Sequence, residues 1–419
     1  MENKKGIKNR WLIALAGVAI HLSIGSAYAW SVFTIPISDL TGWSTAQISF
    51  AFSLAIFFLG TSAAFMGHFV EKQGPKKSGM VAAILFGLGI ACTGFAIKFE
   101  SLPLLYITYG VIGGAGLGTG YVTPVSTMIK WFPDRRGLAT GLAIMGFGFA
   151  ALVTGPVAQQ LINSIGVSNT FFVLGISYFV VMFLASLYLE KPPKDWKPKG
   201  FEGSEGSDES KAVIQKDLSQ LTANQAVKTR RFWLMWFMLF INITCGIALV
   251  SVASPMAQEI TGMTAVTAAT MVGVMGFFNG GGRFFWATLS DYFGRPNTFT
   301  TFFVLNVIVL ILLYFTKVPL LYMILIYIIM TCYGGGFAVI PAYIGDMFGT
   351  KELGAIHGYI LTAWAMAGMA GPLILSFIYD LTGKYSGTLI LFTILCLVAL
   401  ILSLVIRMDI KRLQQKQAQ

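Results

Sequence analysis

The stretch VMGFFNGGGRFFWATLSDYFGR, from Val274 to Arg295, places one arginine between two apolar runs and ends in an acidic, glycine-containing segment. Apolar flanks of this kind are typical of a helix that crosses a bilayer. The three glycines before Arg283 do not form a phosphate-binding loop, because the GxxxxGK[ST] pattern is absent and no strand precedes them. The stretch therefore predicts a membrane helix with a cation inside it.

The composition of the whole chain also indicates a membrane protein. Of its 419 residues, 56% are hydrophobic and only 11% are charged, whereas soluble domains carry about 25% charged residues. Apolar runs long enough to cross about 30 Å of hydrocarbon recur along the chain. The twelve runs cover residues 11–36, 46–70, 78–97, 102–128, 138–162, 170–189, 232–255, 264–289, 298–316, 320–345, 353–379 and 387–408.

The basic residues are distributed unevenly around these runs. The formal net charge is +11, and 25 of the 29 Lys and Arg residues fall in the tails or in loops on one side of the spans. Lys98, Lys317 and Lys384 fall on the other side, and Arg283 lies within a span. Basic loops of multi-pass proteins face the cytoplasm. The pattern predicts a protein of the cell membrane with both termini in the cytoplasm, and it explains the charge without a nucleic acid partner.

The chain offers little material for catalysis. Its four cysteines all lie in predicted spans and lack metal-ligand spacing, so we expect free thiols and neither a metal nor another cofactor. No nucleophile and base lie at matching depth. We therefore expect a protein that is not an enzyme.

A polar segment divides the spans into six and six. It is rich in Pro, Gly, Ser and charge, which is typical of a flexible linker. The predicted units are an N-terminal bundle at 1–189, a cytoplasmic linker at 190–230 and a C-terminal bundle at 231–419. The last part of the linker, LSQLTANQAVKTRRFW, is either a short amphipathic helix on the membrane surface or plain linker.

The two halves resemble each other in sequence. Glu71 and Asp291 occupy like positions after spans two and eight, and Phe132 and Phe348 occupy like positions after spans four and ten. The two pairs are separated by nearly the same interval along the chain. Parallel repeats of six helices are typical of one large transporter architecture.

The same segments resemble a known superfamily. EKQGPKK after span two and DYFGRPN after span eight are similar to the loop motif of the major facilitator superfamily and its repeat. KWFPDRRGLATGL from Lys130 and FFNGGGRFFWATLSD from Phe277 resemble the oxalate/formate antiporter family. The resemblance implies an all-α integral membrane protein with twelve transmembrane helices in two pseudo-symmetric six-helix bundles. It also implies secondary transport by alternating access, and we expect a monomer in the lipid bilayer.

Arg283 is the main candidate for substrate binding. It lies eight residues before Asp291, which places it about 12 Å inside the membrane, and such a position costs about 2.5–3.5 kcal/mol on insertion scales. No Asp or Glu is predicted at similar depth, so we expect Arg283 to face a water-filled cavity and to pair with a small anion, since its planar fork of donors matches a carboxylate. Donation to backbone carbonyls is the alternative. We expect the preceding glycines to permit close helix approach or local bending beside the cavity.

Other residues complete the predicted site. The resemblance implies that Tyr28, Tyr121, Tyr333 and Trp364 line the substrate cavity, and Asn279 either binds the substrate or orients the arginine. His21 and His357 are the candidates for a proton-linked role because histidine titrates near neutral pH, with hydrogen-bonded packing as the alternative.

Two departures from the related families bear on the substrate. Trp364 aligns with a lysine that balances a dianion in oxalate exchangers, and Asn279 aligns with a frequent aspartate of animal-type monocarboxylate transporters. One cation favours a small monocarboxylate such as lactate, pyruvate or formate, and Asn279 cannot carry a proton. Symport with H⁺ and anion exchange both stay open. The alternatives are oxalate:formate exchange and a carboxylate sensor that transports nothing.

The repeated loops predict a gate. Glu71 and Asp291 lie at cytoplasmic helix ends, with Arg295 in the loop motif after span eight. The carboxylates can cap the free N–H groups of a neighbouring helix or pair with Arg or Lys across the seam between the halves. Such contacts would hold the cytoplasmic side closed and break when the halves rock.

Overall fold

The computed structural model describes residues 7–193, 196–198 and 217–418 of the chain. Long helices succeed one another through these residues, and short turns connect them. Their bounds are Arg10–Ile24 continued by a 3-10 turn Gly25–Ala29 and a helix Ser31–Thr41 (together α1), Thr45–Gln73 (α2), Pro75–Lys98 (α3), Leu102–Trp131 (α4), Arg136–Ile165 (α5), Val167–Tyr188 (α6), Arg230–Thr261 (α7), Ala265–Phe293 (α8), Arg295–Phe315 (α9), Pro319–Phe348 (α10), Leu353–Thr382 (α11) and Ser386–Ala418 (α12).

The predicted fold class is confirmed. Eleven of the helices in the described residues are long and apolar enough to cross a membrane. The remaining long helix, α8, has 29 residues, and its mean hydropathy is lowered by Asn279, Arg283 and Asp291. It coincides with the predicted eighth span, residues 264–289.

Two six-helix bundles repeat the same packing. In the first bundle α1 packs on α5, α2 on α4 and α3 on α6, and in the second α7 packs on α11, α8 on α10 and α9 on α12. The bundles meet chiefly through α2 against α11 and α5 against α8. These two contacts correspond to each other under the repeat, so the seam between the bundles is symmetric as well.

The turns that start the second helix of each bundle show why the halves fold alike. Gly42 and Gly262 end α1 and α7 in the left-handed conformation, at φ of 73° and 70°. Ser44 and Thr264 then cap α2 and α8 by accepting a hydrogen bond from a main-chain N–H of the first turn. Both pairs are separated by the same interval along the chain, and the repeated carboxylates are separated by that interval too.

The end of the bundle where α6 ends and α7 begins is called the linker end below. The predicted amphipathic helix is reduced there to one turn, Ala223–Ala226, within the described residues. Before that turn, the Leu218 and Leu221 N–H groups donate to the Asp346 and Phe348 carbonyls of α10. This part of the linker therefore packs on α10, whereas residues 194–195 and 199–216 of the predicted linker lie outside the described residues.

Candidate functional site

Arg283 lies in the interior of α8, and none of its side chain is exposed. Its Nε and Nη2 donate to Asn279 Oδ1, one turn earlier, at 3.3 and 3.1 Å, and its Nη1 donates to the Ile144 carbonyl oxygen of α5 at 3.3 Å. The guanidinium carbon lies 5.4 Å from the ring centre of Phe147 and 5.2 Å from that of Phe337. One amide, one carbonyl and two ring faces thus surround the charge.

Glycines on the neighbouring helices leave room for this side chain. A Cβ atom at Gly148 of α5 would lie 3.2 Å from Arg283 Cδ, and one at Gly334 of α10 would lie 3.2 Å from Arg283 Cγ. Of the three glycines before the arginine, Gly280 packs against α5 and Gly282 against α10. The glycine-rich stretch therefore brings three helices together around Arg283.

The structure corrects the expectation that Arg283 faces a water-filled cavity. Its guanidinium is closed off from solvent, because Phe147 from the first bundle and Phe337 from the second lie against it. The alternative, donation to a backbone carbonyl, occurs at Ile144. No ion pair of the described residues involves Arg283, and none of their fully buried side chains is an Asp or Glu.

The aromatic residues predicted to line the site converge on the same place. Tyr121 and Trp364 are fully buried, with ring centres 5.3 Å apart, and they belong to different bundles. Phe147 lies 4.9 Å from Tyr28, 5.7 Å from Tyr121 and 5.8 Å from Trp364 between ring centres. The rings therefore form a cage that spans the seam between the bundles.

The remaining member of the cage is reached through Phe337. The Phe337 ring centre lies 5.5 Å from that of Tyr333 and 4.4 Å from that of Trp364. Tyr28, Tyr121 and Tyr333 all interact electrostatically with Arg283. The six predicted substrate-binding residues thus form one cluster.

Sequence reasoning missed Phe147, Phe337 and the Ile144 carbonyl. One signal was present for Phe337, since Tyr121 and Phe337 are separated by the same interval as the repeated pair Phe132 and Phe348. Phe337 therefore occupies the position in the second bundle that Tyr121 occupies in the first. The 34 phenylalanines of the chain gave no means of selecting Phe147.

Several polar atoms of the cage have no hydrogen-bond partner. They are buried side-chain atoms on three helices: Tyr121 Oη, Asn279 Nδ2 and Trp364 Nε1. Buried polar groups are nearly always paired, so these atoms are available to a polar ligand in the cage. The cage combines a cation, hydroxyl and amide groups and apolar ring faces, and it is suited to a small organic anion.

His21 and His357 lie next to the cage and are fully buried. The ring centre of Tyr121 lies 5.2 Å from that of His21 and 5.9 Å from that of His357. His21 comes from α1 and His357 from α11, so this pair also spans the two bundles. Both predicted proton-linked residues thus adjoin the arginine cluster.

The two repeated carboxylates cap helices across the seam. Asp291 at the end of α8 accepts hydrogen bonds from the main-chain N–H groups of Gly137 and Leu138 in α5, both at 2.8 Å. Glu71 at the end of α2 accepts one from the Gly354 N–H in α11 at 2.9 Å. Neither α5 nor α11 has a capping side chain of its own, so each bundle caps a helix of the other.

Ion pairs surround the Asp291 cap. Arg295 donates to Asp291 at 2.6 Å and pairs with Asp346 of α10 at 3.3 Å. Arg136 of α5 pairs with the same Asp346 at 2.9 Å and with Asp217 of the linker at 2.6 Å. The linker, α5, α8 and α10 are therefore tied together at the linker end.

A cavity of about 380 Å³ opens beside this network and not at Arg283. Its charged lining includes Arg136, Asp291, Arg295 and Asp346, which already pair with one another. The cavity therefore lies at the linker end, and these four of its charged residues are paired. The described residues contain no group of three His, Cys, Asp or Glu side chains that would hold a metal ion.

Comparisons with known proteins identify the family of the chain. The model of the family described as Major Facilitator Superfamily matches residues 14–340 and 244–419. An oxalate:formate antiporter of Oxalobacter formigenes is 29% identical over 87% of this chain and 83% of its own length, and apicoplast pyruvate carrier 1 of Toxoplasma gondii is 22% identical over 84% and 81%. Monocarboxylate transporter 1 of Homo sapiens is 28% identical over 48% of this chain and 39% of its own length.

Solved structures show the same fold. The transporter FucP in the outward conformation superposes with a TM-score of 0.71 at 16% identity, and the match covers 93% of this chain and 97% of that one.

Proposed function

Since this chain belongs to the major facilitator superfamily, we propose that it moves small monocarboxylates of the lactate, pyruvate and formate class across the cell membrane. It is a multi-pass membrane transporter of the oxalate:formate antiporter and monocarboxylate transporter type. The relatives are named as carriers of oxalate and formate, of pyruvate and of monocarboxylates. Small carboxylates are the property that these substrates share.

The observation that supports the proposal most is the buried guanidinium of Arg283. It has no carboxylate partner among the described residues, and it lies in a cage where the Tyr121 hydroxyl and the Asn279 amide nitrogen are unpaired. A substrate carboxylate supplies the missing negative charge through a bidentate pair. Asn279 Oδ1 accepts a hydrogen bond from Arg283 Nη2 at 3.1 Å, and this bond orients the guanidinium toward the cage.

The number of cations favours a substrate with one negative charge. Trp364 fills the wall of the cage, with its ring centre 4.4 Å from Phe337 and 5.8 Å from Phe147. A dianion at this place requires a second cation, because an uncompensated charge is costly at this depth. The fully buried side chains of the described residues include Arg283 as a cation next to the cage and no lysine.

Alternating access is the mechanism that we propose, and the two caps support it. Asp291 and Glu71 close the linker end, which we place in the cytoplasm on the distribution of Lys and Arg. Rocking of the bundles separates α5 from α8 and α2 from α11, and both caps then break together. The site lies within one chain, so a monomer suffices for transport.

Uptake into proteoliposomes tests the proposal. Labelled lactate, pyruvate, formate and oxalate are offered separately, with and without a pH gradient. We expect saturable uptake of at least one monocarboxylate and a loss of more than tenfold in Arg283→Lys, because a point charge replaces a bidentate fork. Arg412→Lys is the matched control, since Arg412 is exposed on α12.

Two results would contradict the assignment. If Arg283→Lys took up every monocarboxylate at the wild-type rate, Arg283 would not be a substrate-binding residue. Saturable formate efflux driven by external oxalate would instead favour the second candidate, oxalate:formate exchange. The 29% identity to such an antiporter over 87% of this chain is the observation that supports this candidate.

A further inference from the structure

Two histidines beside the cage have hydrogen-bonding atoms that carboxylate binding does not use. His21 and His357 are both fully buried. His21 Nε2 and both ring nitrogens of His357 have no partner. Buried polar atoms are rarely left unpaired, and ionisable groups inside a membrane protein are functional candidates by default.

The backbone fixes which nitrogen of His21 can accept a proton. His21 Nδ1 lies 3.1 Å from the Gly17 carbonyl oxygen. A carbonyl only accepts, so Nδ1 carries the hydrogen of the neutral ring, and the lone pair is on Nε2. This lone pair is buried and unpaired. His21 is thus held in the tautomer that takes up a proton at Nε2.

His21 and His357 approach each other across the seam between the bundles. Tyr121 of α4 lies between them, with ring centres 5.2 Å from His21 and 5.9 Å from His357, and its own hydroxyl is unpaired. His21 and Tyr121 belong to the first bundle, and His357 belongs to the second. Rocking of the bundles therefore changes the surroundings of the pair.

The charged and titratable surroundings of the pair are few. His21 interacts electrostatically with Arg283 of α8, and His357 interacts with His21. From α4 the pair faces Tyr121, and from α5 His21 faces Gly146. No Asp or Glu is among the fully buried side chains of the described residues. Among the described residues, Arg283 is therefore the permanently charged group that acts on His21.

We propose that His21, with His357 as its partner in the other bundle, binds a proton that is transported together with the carboxylate. The proton adds to Nε2 of the neutral imidazole, and after the bundles have rocked it leaves the same atom toward the other side of the membrane. This inference rests on the proposed function, because it names the coupling ion of the same site.

Charge balance links the two ligands. The cationic Arg283 repels a second positive charge on His21, and a bound carboxylate cancels that repulsion. Proton and carboxylate therefore favour each other's binding, and the coupling is reciprocal. The loaded site, with Arg283, imidazolium and carboxylate, carries the same net charge as Arg283 alone. The site therefore carries one net positive charge during the movement of the bundles, both when it is loaded and when it is empty.

The test separates proton movement from substrate movement. Wild type, His21→Gln and His357→Gln are reconstituted in proteoliposomes that contain the pH-sensitive dye pyranine, and both labelled lactate uptake and internal acidification are recorded. Lactate counterflow, which moves no net proton, is measured in parallel. His68→Gln is the matched control, because His68 is exposed on α2.

We expect lactate to acidify the wild-type lumen and a pH gradient to accelerate its uptake. His21→Gln should lose gradient-driven uptake at least tenfold while it retains counterflow within about twofold, and His357→Gln should show the same split. Acidification that persists in both variants would overturn the proposal. Equal loss of counterflow would also overturn it, since the histidines would then act in substrate binding. Lactate uptake without acidification in the wild type would refute only the proton, whereas uptake of no monocarboxylate would refute the proposed function.

Discussion

Replacing Asp291 by asparagine should open the linker end. The Asp291 carboxylate accepts main-chain hydrogen bonds from Gly137 and Leu138 at 2.8 Å each, and its side chain is only 7% exposed. The amide keeps one accepting oxygen and turns two donors toward a helix end that needs acceptors. One charged hydrogen bond, worth about 1.5–3 kcal/mol, is lost, together with about 0.3–1 kcal/mol of interaction with the helix dipole.

The sum predicts a measurable shift in population. A loss of about 2–4 kcal/mol corresponds to a rise of about thirtyfold or more in the ratio of open to closed molecules, since about 1.4 kcal/mol is tenfold. Ser126 reports this opening after its replacement by cysteine. It is 2% exposed on α4, and it lies against α11 near Gly354 at the linker end.

The assay is the rate at which Ser126→Cys reacts with a bulky maleimide in detergent, with the native cysteines replaced by alanine. In rapid opening and closing, this rate follows the open fraction. We expect Asp291→Asn to accelerate it about thirtyfold and the matched control Asp39→Asn, exposed at the opposite end of the bundle, to leave it unchanged. An unchanged rate in a folded Asp291→Asn protein would refute the capping mechanism.

Two further substitutions test the cage and the linker. Trp364→Lys adds a cation beside Arg283, so we expect oxalate to inhibit lactate uptake at least tenfold more strongly than in wild type. Trp364→Phe is the control, and equal inhibition by oxalate in both variants would contradict the inference from the number of cations. Asp217→Asn removes the 2.6 Å ion pair to Arg136, whose partners are 14% and 17% exposed. That pair contributes up to about 1 kcal/mol, so the maleimide reaction of Ser126→Cys should become up to about fivefold faster. Glu190→Gln is the control, and an equal reaction rate in both variants would show that the linker does not hold the linker end closed.

The sequence was sufficient for the fold because its signals were long and repeated. The apolar runs each fill a helix, and one common interval along the chain pairs Glu71 with Asp291 and also Gly42 with Gly262. Arg283 was conspicuous because a charge in an apolar run is costly. These features depend on composition and order along the chain, which can be read without knowledge of side-chain contacts.

The rest of the site depends on how the helices rotate and close. Phe147 and Phe337 face Arg283 only because α5 and α10 turn these positions inward, whereas many other phenylalanines are exposed on the outside of the bundles or buried elsewhere in the core. Because the seam is closed, the rings of Phe147 and Phe337 lie against the Arg283 guanidinium, where water was expected. The Ile144 carbonyl was hidden for a related reason, since every residue has such a group and packing alone selects one.

The caps at the linker end have a consequence for suppressor genetics. Asp291 and Glu71 are held across the seam by peptide N–H groups of Gly137, Leu138 and Gly354. A salt bridge can be restored by exchanging the two charges, but a peptide N–H has no side chain to exchange. Revertants of a lost carboxylate therefore cannot arise as charge swaps at these three partners. They must instead lie elsewhere, where they stabilise the closed form by other contacts or destabilise the open form, and a screen for them would map the positions that set this equilibrium.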